Sequence, residues 1–201
     1  MERRVFCRTP LPVAIFAAIA GVSCGAGLHD ANEEASTKQI VGVGESHIDF
    51  MGGRLDIFEG CLAEDNVPIT FTWHRSIPHK GAVSAVYEIG QPSSGNFQKD
   101  MRLSIATTAD IAGNPDSVIG FLDHASTGDW WVPVQPSAKP ECDAGTVCGP
   151  VQVGIFSDKG LTSLKLAIVT KCNYGENTCP SGQSCASSGA CQQCPPNSPC
   201  P

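Results

Sequence analysis

The sequence predicts an all-β fold: an antiparallel β-sandwich, or a barrel, of about nine short strands followed by a small disulfide-rich tail. Apolar side chains recur at every second position over long parts of residues 39–172, the period of strands with one buried face. Clusters of Asn, Asp, Gly, Pro and Ser punctuate that pattern every roughly 8–12 residues, the spacing of turns in sandwiches and barrels. From Cys179 onward the chain holds five Cys and five Pro, with Ala186 and Ala190 as the only other apolar side chains. Such a segment cannot build a core, so cross-links must give it shape.

In chain order, the first strand candidate is Ile40–Val43 and the second Leu55–Leu62. The third places Ile69, Phe71 and Trp73 on one face and Thr70, Thr72 and His74 on the other. The fourth alternates Val83, Ala85, Tyr87 and Ile89 with Ala82, Ser84, Val86 and Glu88. The fifth alternates Met101, Leu103 and Ile105 with Arg102, Ser104 and Ala106. Val118–Leu122, Trp130–Val134, Val151–Phe156 and Leu161–Val169 complete the set. Glu64-Asp65-Asn66, Ser93-Ser94-Gly95-Asn96, Gly113-Asn114-Pro115-Asp116 and Ser157-Asp158-Lys159-Gly160 supply turns. No stretch carries a capped helical period.

The N-terminus has a different character. Arg3, Arg4 and Arg8 precede the uncharged run Leu11 to Val22, and Ala20-Gly21-Val22-Ser23 lead into Cys24. Twelve residues of helix reach about 18 Å, short of the roughly 30 Å hydrocarbon core, so an export signal is expected rather than a span. Residues 1–25 resemble the signal and lipobox of bacterial lipoproteins, departing at Gly21, where that pattern usually has Leu. The resemblance implies that Cys24 is lipidated and becomes the mature N-terminus, which places the protein in a bacterial cell envelope. Gly25, where an inner-membrane retention Asp would stand, points to the outer membrane. Cleavage by ordinary signal peptidase near Gly25 and Ala26 is the alternative. The expected organisation is signal peptide 1–23, lipidated Cys24 with a polar tether to residue 38, sandwich 39–172 and tail 173–201.

Removing residues 1–23 takes away Arg3, Arg4, Arg8 and Glu2, moving the net charge from −7 to −9. An acidic chain with no basic cluster lacks the footprint of a nucleic-acid binder, and any membrane attachment comes from the lipid. Of the 11 cysteines, Cys7 leaves with the signal and Cys24 carries the anchor. Cys61, Cys142, Cys148, Cys172, Cys179, Cys185, Cys191, Cys194 and Cys200 remain as disulfide candidates. Nine is odd, so one thiol stays free or Cys24 pairs instead. A Cys142–Cys148 bond would close a ring of about seven residues worth about 2 kcal/mol, and a Cys61–Cys172 bond a loop of about 110 residues worth roughly 4–5 kcal/mol. Residues 179–191 resemble the small cysteine modules of EGF-like proteins.

Candidate chemistry is sparse. Cys191-Gln-Gln-Cys194 has redox spacing but lies in a Pro-rich tail without the helix that would lower a thiol pKa. Cys185, Cys191, Cys194 and Cys200 offer four thiolates for zinc, yet lack the second short-spaced pair of a zinc knuckle. His29, His47, His74, His79 and His124 make no HxH or HExxH spacing; His74 and His79 are close enough in sequence to approach one site. His124 stands near Asp123 and Ser126, without a nucleophile elbow. Asp110, Asn114 and Asp116 read as a turn rather than a calcium loop. Trp130 and Trp131 must face opposite sides of their strand. Trp131 is the ligand candidate, able if exposed to stack on a sugar or anchor a partner; burial under a loop or the tail is the alternative. No metal or cofactor is expected. The combination points to a non-catalytic envelope domain that binds a protein or glycan partner, or alternatively to a secreted hydrolase with an unrecognised site.

Overall fold

The computed structural model describes residues 34–75, 81–91, 96–125, 128–134, 141–173, 179–180 and 182–193. The strands are β1 (Glu34–Val41), β2 (Ser46–Phe50), β3 (Gly53–Ile57), β4 (Val67–His74), β5 (Val86–Gly90) and β6 (Met101–Ala106). A short helix α1 (Ala109–Gly113) leads to β7 (Ser117–Ala125), β8 (Gly128–Pro133) and β9 (Thr146–Val151). Helix α2 (Val153–Lys159) precedes β10 (Ser163–Thr170), and the tail contributes the two-residue strands β11 (Ser184–Cys185) and β12 (Cys191–Gln192).

Every strand pairing is antiparallel. One sheet has the order β1-β4-β5-β10-β7-β8 and faces a second of order β2-β3-β6-β9, so the domain is a sandwich and not a closed barrel. Alternation decides which side chains meet between the sheets. Ile69 and Phe71 of β4, Tyr87 and Ile89 of β5, and Leu164, Leu166 and Ile168 of β10 face Leu55, Ile57, Leu103 and Ile105. The ring of Tyr87 stacks on Phe71 with centroids 5.4 Å apart.

A second, smaller apolar cluster lies on the other face of the six-stranded sheet. It joins Val86, Leu122, Trp131, Ala167, Val169 and Ala190, the last supplied by the tail. The hairpin β11–β12 therefore docks on the sandwich, through a bridge between Lys171 and Ala190 and through the disulfide Cys172–Cys185, while Cys179–Cys191 braces the tail internally. Gly81 permits the approach: a Cβ there would lie 2.6 Å from the Cys191 carbonyl oxygen.

Several expectations change. Residues 34–38, read as tether, are the start of β1; an edge strand with one face on the sandwich keeps polar side chains and hides its period. Strand β2 carries no legible period, since Ile48 is the one buried side chain among its five residues. Val151–Phe156 is not a strand: β9 ends at Val151 and α2 follows, its Val153 N–H held by Asp100 Oδ1 at 2.9 Å and its end closed by left-handed Gly160. The Cys61–Cys172 pairing is overturned, since Cys172 bonds Cys185 and Cys61 is a buried free thiol donating to the Asp100 carbonyl at 3.3 Å. Burial pushes the Cys61 thiol pKa up.

Candidate functional site

A concavity opens along the side of the sandwich, where β7 of one sheet approaches β9 of the other. Gly149 brings these strands together, since a Cβ there would sit 3.0 Å from the Ile119 side chain. The chain changes sheets here, running from β6 through α1 to β7. Helix α1 and the turn before β9 stand apart over that crossing and leave a cleft of about 820 Å³ between them.

Local sequence builds both walls. Thr146 closes the Asp143–Thr146 turn, its N–H and Oγ1 both donating to the Asp143 carbonyl at 3.1 and 2.7 Å, with Gly145 at φ 77°. Cys142–Cys148 locks this turn to β9, and Thr107 N–H donates to the Gly145 carbonyl, tying it to the approach to α1. On the opposite wall the Asn114 side chain accepts from Asp116 N–H at 3.0 Å and shapes the entry to β7. The floor is aliphatic, with Val118, Ile119, Val134 and Val147. Asn114, Ser117, Asp143, Thr146 and Lys171 supply polar groups. The described lining residues include neither an aromatic ring nor a histidine.

Charge around the cleft is uneven. Asp143 also borders a neighbouring depression of about 350 Å³ that contains Arg54, and it helps raise the Arg54 pKa. The main causes of that rise are the hydrogen bond and charge of Asp56. The Lys171 main-chain N–H donates to the Asp116 carbonyl, but no described carboxylate lies within ion-pair distance of its exposed ammonium.

On the outer face of the four-stranded sheet, Asp56 is held by Arg54 Nε at 2.7 Å and by Arg102 Nε at 2.9 Å and Nη2 at 2.8 Å. Arg102 also covers the ring of Phe58 at 5.7 Å. Burial pushes the Asp56 carboxyl up, but the hydrogen bonds and charges of the two arginines outweigh it and leave it below its ordinary value. Both carboxylate oxygens of Asp56 are thereby occupied.

The sequence-derived candidates fare differently. Trp131 is 1% exposed beneath the tail, so it is packing and not a ligand platform, which corrects the exposed alternative. Its neighbour Trp130 is half-buried. Cys142 and Cys148 are bonded and form part of the cleft wall. Cys185 and Cys191 are each consumed in a disulfide, so the four-thiolate set with Cys194 and Cys200 is broken. Cys172, Cys179 and Cys185 place sulfurs within 4.8 Å of one another, as two neighbouring disulfides. Cys24, His29, His79, Ser126, Cys194 and Cys200 lie outside the described residues.

The described histidines are dispersed. His74 sits between Glu34 at 3.5 Å and Glu88 at 3.2 Å on the outer face, His124 pairs with Asp129 at 2.6 Å, and His47 with Asp49 at 3.4 Å. Sequence reasoning missed the cleft itself. Its only trace is two runs rich in small residues, 112–119 and 142–149, which read equally well as turns.

Fold and site together define a disulfide-braced antiparallel sandwich with a lateral, aliphatic-floored cleft. No protein-family model matches the chain, and no curated protein or solved structure is significantly similar to it.

Proposed function

We propose that this chain is an exported, lipid-tethered binding protein of a bacterial cell envelope that holds a ligand in its lateral cleft without transforming it. The cleft carries the reading: about 820 Å³ falls within the roughly 300–1,000 Å³ of small-molecule sites, and its aliphatic floor beneath a few polar groups has their usual composition. Export draws support from the signal-like N-terminus and from three disulfides, bonds that persist in oxidising compartments. The free thiol at Cys61 leaves an even eight of the nine cysteines, so pairing no longer requires Cys24. A glycan ligand loses its support with the burial of Trp131.

The full chain, equilibrated with a small-molecule extract of cell envelope and examined by native mass spectrometry, is expected to retain a ligand unchanged. Ala112→Trp, which fills the cleft from α1, is expected to abolish retention. Retention by neither protein overturns the reading, and appearance of a cleaved product establishes the hydrolase alternative. Labelled palmitate incorporation, lost in Cys24→Ala, checks the anchor; unchanged incorporation rules Cys24 out.

A further inference from the structure

We infer that the cleft takes an amphipathic anion, an aliphatic chain ending in a carboxylate or comparable acidic head, with Lys171 receiving the head. This deepens the reading of the cleft as the ligand site and rests on it.

The argument starts from the floor. Val118, Ile119, Val134 and Val147 are branched aliphatic side chains, and the Cys142–Cys148 bond adds a non-polar sulfur wall. Flat sugars and bases are held by stacking on rings, which the described part of this wall lacks. A flexible hydrocarbon needs only apolar area, and each methylene removed from water contributes about the same increment. The shape and surface of the floor therefore suit a chain.

The head follows from the charges. Among the described residues, two charged side chains line the cleft, Asp143 and Lys171. Asp143 faces the positive charge of Arg54 across the adjoining depression, whereas the Lys171 ammonium has no described carboxylate within ion-pair distance. In a chain of net charge −7, a cation with no described carboxylate partner beside an apolar cleft runs against the overall charge. Asn114 and Ser117 on one wall and Thr146 on the other add polar groups to the cleft. An anion there gains a partner, while a cationic head meets Lys171 and an uncharged one leaves it as it was.

The test uses the full chain with Cys24→Ser, so that no acyl group of its own competes, and a dansyl-labelled undecanoic acid as reporter. Dodecanoate is expected to displace the reporter at one site, and methyl dodecanoate to bind about threefold to fivefold more weakly, the scale of one exposed ion pair. Lys171→Gln should bring the acid to the level of the ester and leave the ester unchanged. Ala112→Trp should abolish displacement; if that variant misfolds, Ala144→Trp on the exposed turn replaces it. Equal affinity for acid and ester, with no effect of Lys171→Gln, overturns the anionic head. No displacement by dodecanoate while an envelope ligand is still retained overturns the ligand class but leaves the cleft reading standing. Failure of both experiments removes both.

Discussion

The side-chain amide of Gln192 pairs with both main-chain polar groups of Trp131. Its Oε1 accepts from the Trp131 N–H at 3.1 Å, and its Nε2 donates to the Trp131 carbonyl at 3.4 Å. Trp131 lies on β8, the edge of the six-stranded sheet, so a side chain from the tail stands in for part of a further strand. Gln192 is 1% exposed, and its Nε2 also donates to Ser188 Oγ at 3.0 Å, which fixes the amide's orientation.

Gln192→Ala is expected to destabilise the protein by about 1–3 kcal/mol, because it strips buried main-chain groups of their partner. Gln192→Glu should cost more. A carboxylate has no donor for the Trp131 carbonyl and brings an unpaired charge into a closed site. Urea unfolding of the three proteins checks the order.

Removing the Cys172–Cys185 bond by paired serine substitution should loosen the tail while the sandwich stays folded, since the core between the sheets includes no described tail residue. The lost cross-link spans 13 residues of sequence and is worth about 3 kcal/mol in the chain-entropy account. Freed of its cover, Trp131 should become quenchable by acrylamide and its emission should shift to the red. Unchanged far-ultraviolet circular dichroism would show the sheets intact.

Gly53→Ala is expected to destabilise by about 1–3 kcal/mol through overpacking. A Cβ there would lie 2.4 Å from Tyr87 Cε1, and that ring is held by its stacking on Phe71 and by a 2.6 Å hydrogen bond from its hydroxyl to the Met51 carbonyl. Thermal unfolding measures the loss.

Burial pushes the Tyr87 hydroxyl up to about 12 from an ordinary value of 10. The folded state thus favours the neutral phenol. Its contribution is complete below pH 10 and declines as pH rises from 10 to about 12, as the unfolded chain ionises first. Tyr87→Phe should flatten this alkaline fall, read from unfolding free energies at each pH.

Asp56 acts at the other end of the scale. With its carboxyl held below the ordinary 3.8 despite burial, it contributes stability at neutral pH that fades as pH falls from about 4 through its depressed value. Asp56→Asn should be less stable at pH 7 and show a shallower acid limb. Equal acid limbs would remove Asp56 as a source of acid sensitivity.

Much of the sandwich is legible in sequence because its strands have one buried and one wetter face. Ile69, Phe71 and Trp73, or Met101, Leu103 and Ile105, announce their faces by alternation alone. Helix α2 is not legible in the same way. The group that meets its first N–H is Asp100, 53 residues earlier, and no local pattern reports such a partner. Trp131 illustrates the same limit: adjacency to Trp130 fixes that the two rings diverge, but not which one is covered.

The sequence by itself determined an antiparallel all-β fold, sandwich or barrel, a cysteine-rich tail and an acidic chain, since period, turn chemistry and charge are local properties; the open edges of the two sheets decided for the sandwich. Only the tertiary structure decided that the tail docks over Trp131, that Cys61 stays unpaired, and that a cleft opens between β7 and β9. These depend on distances between residues far apart in the chain, set by how the two sheets and the tail pack.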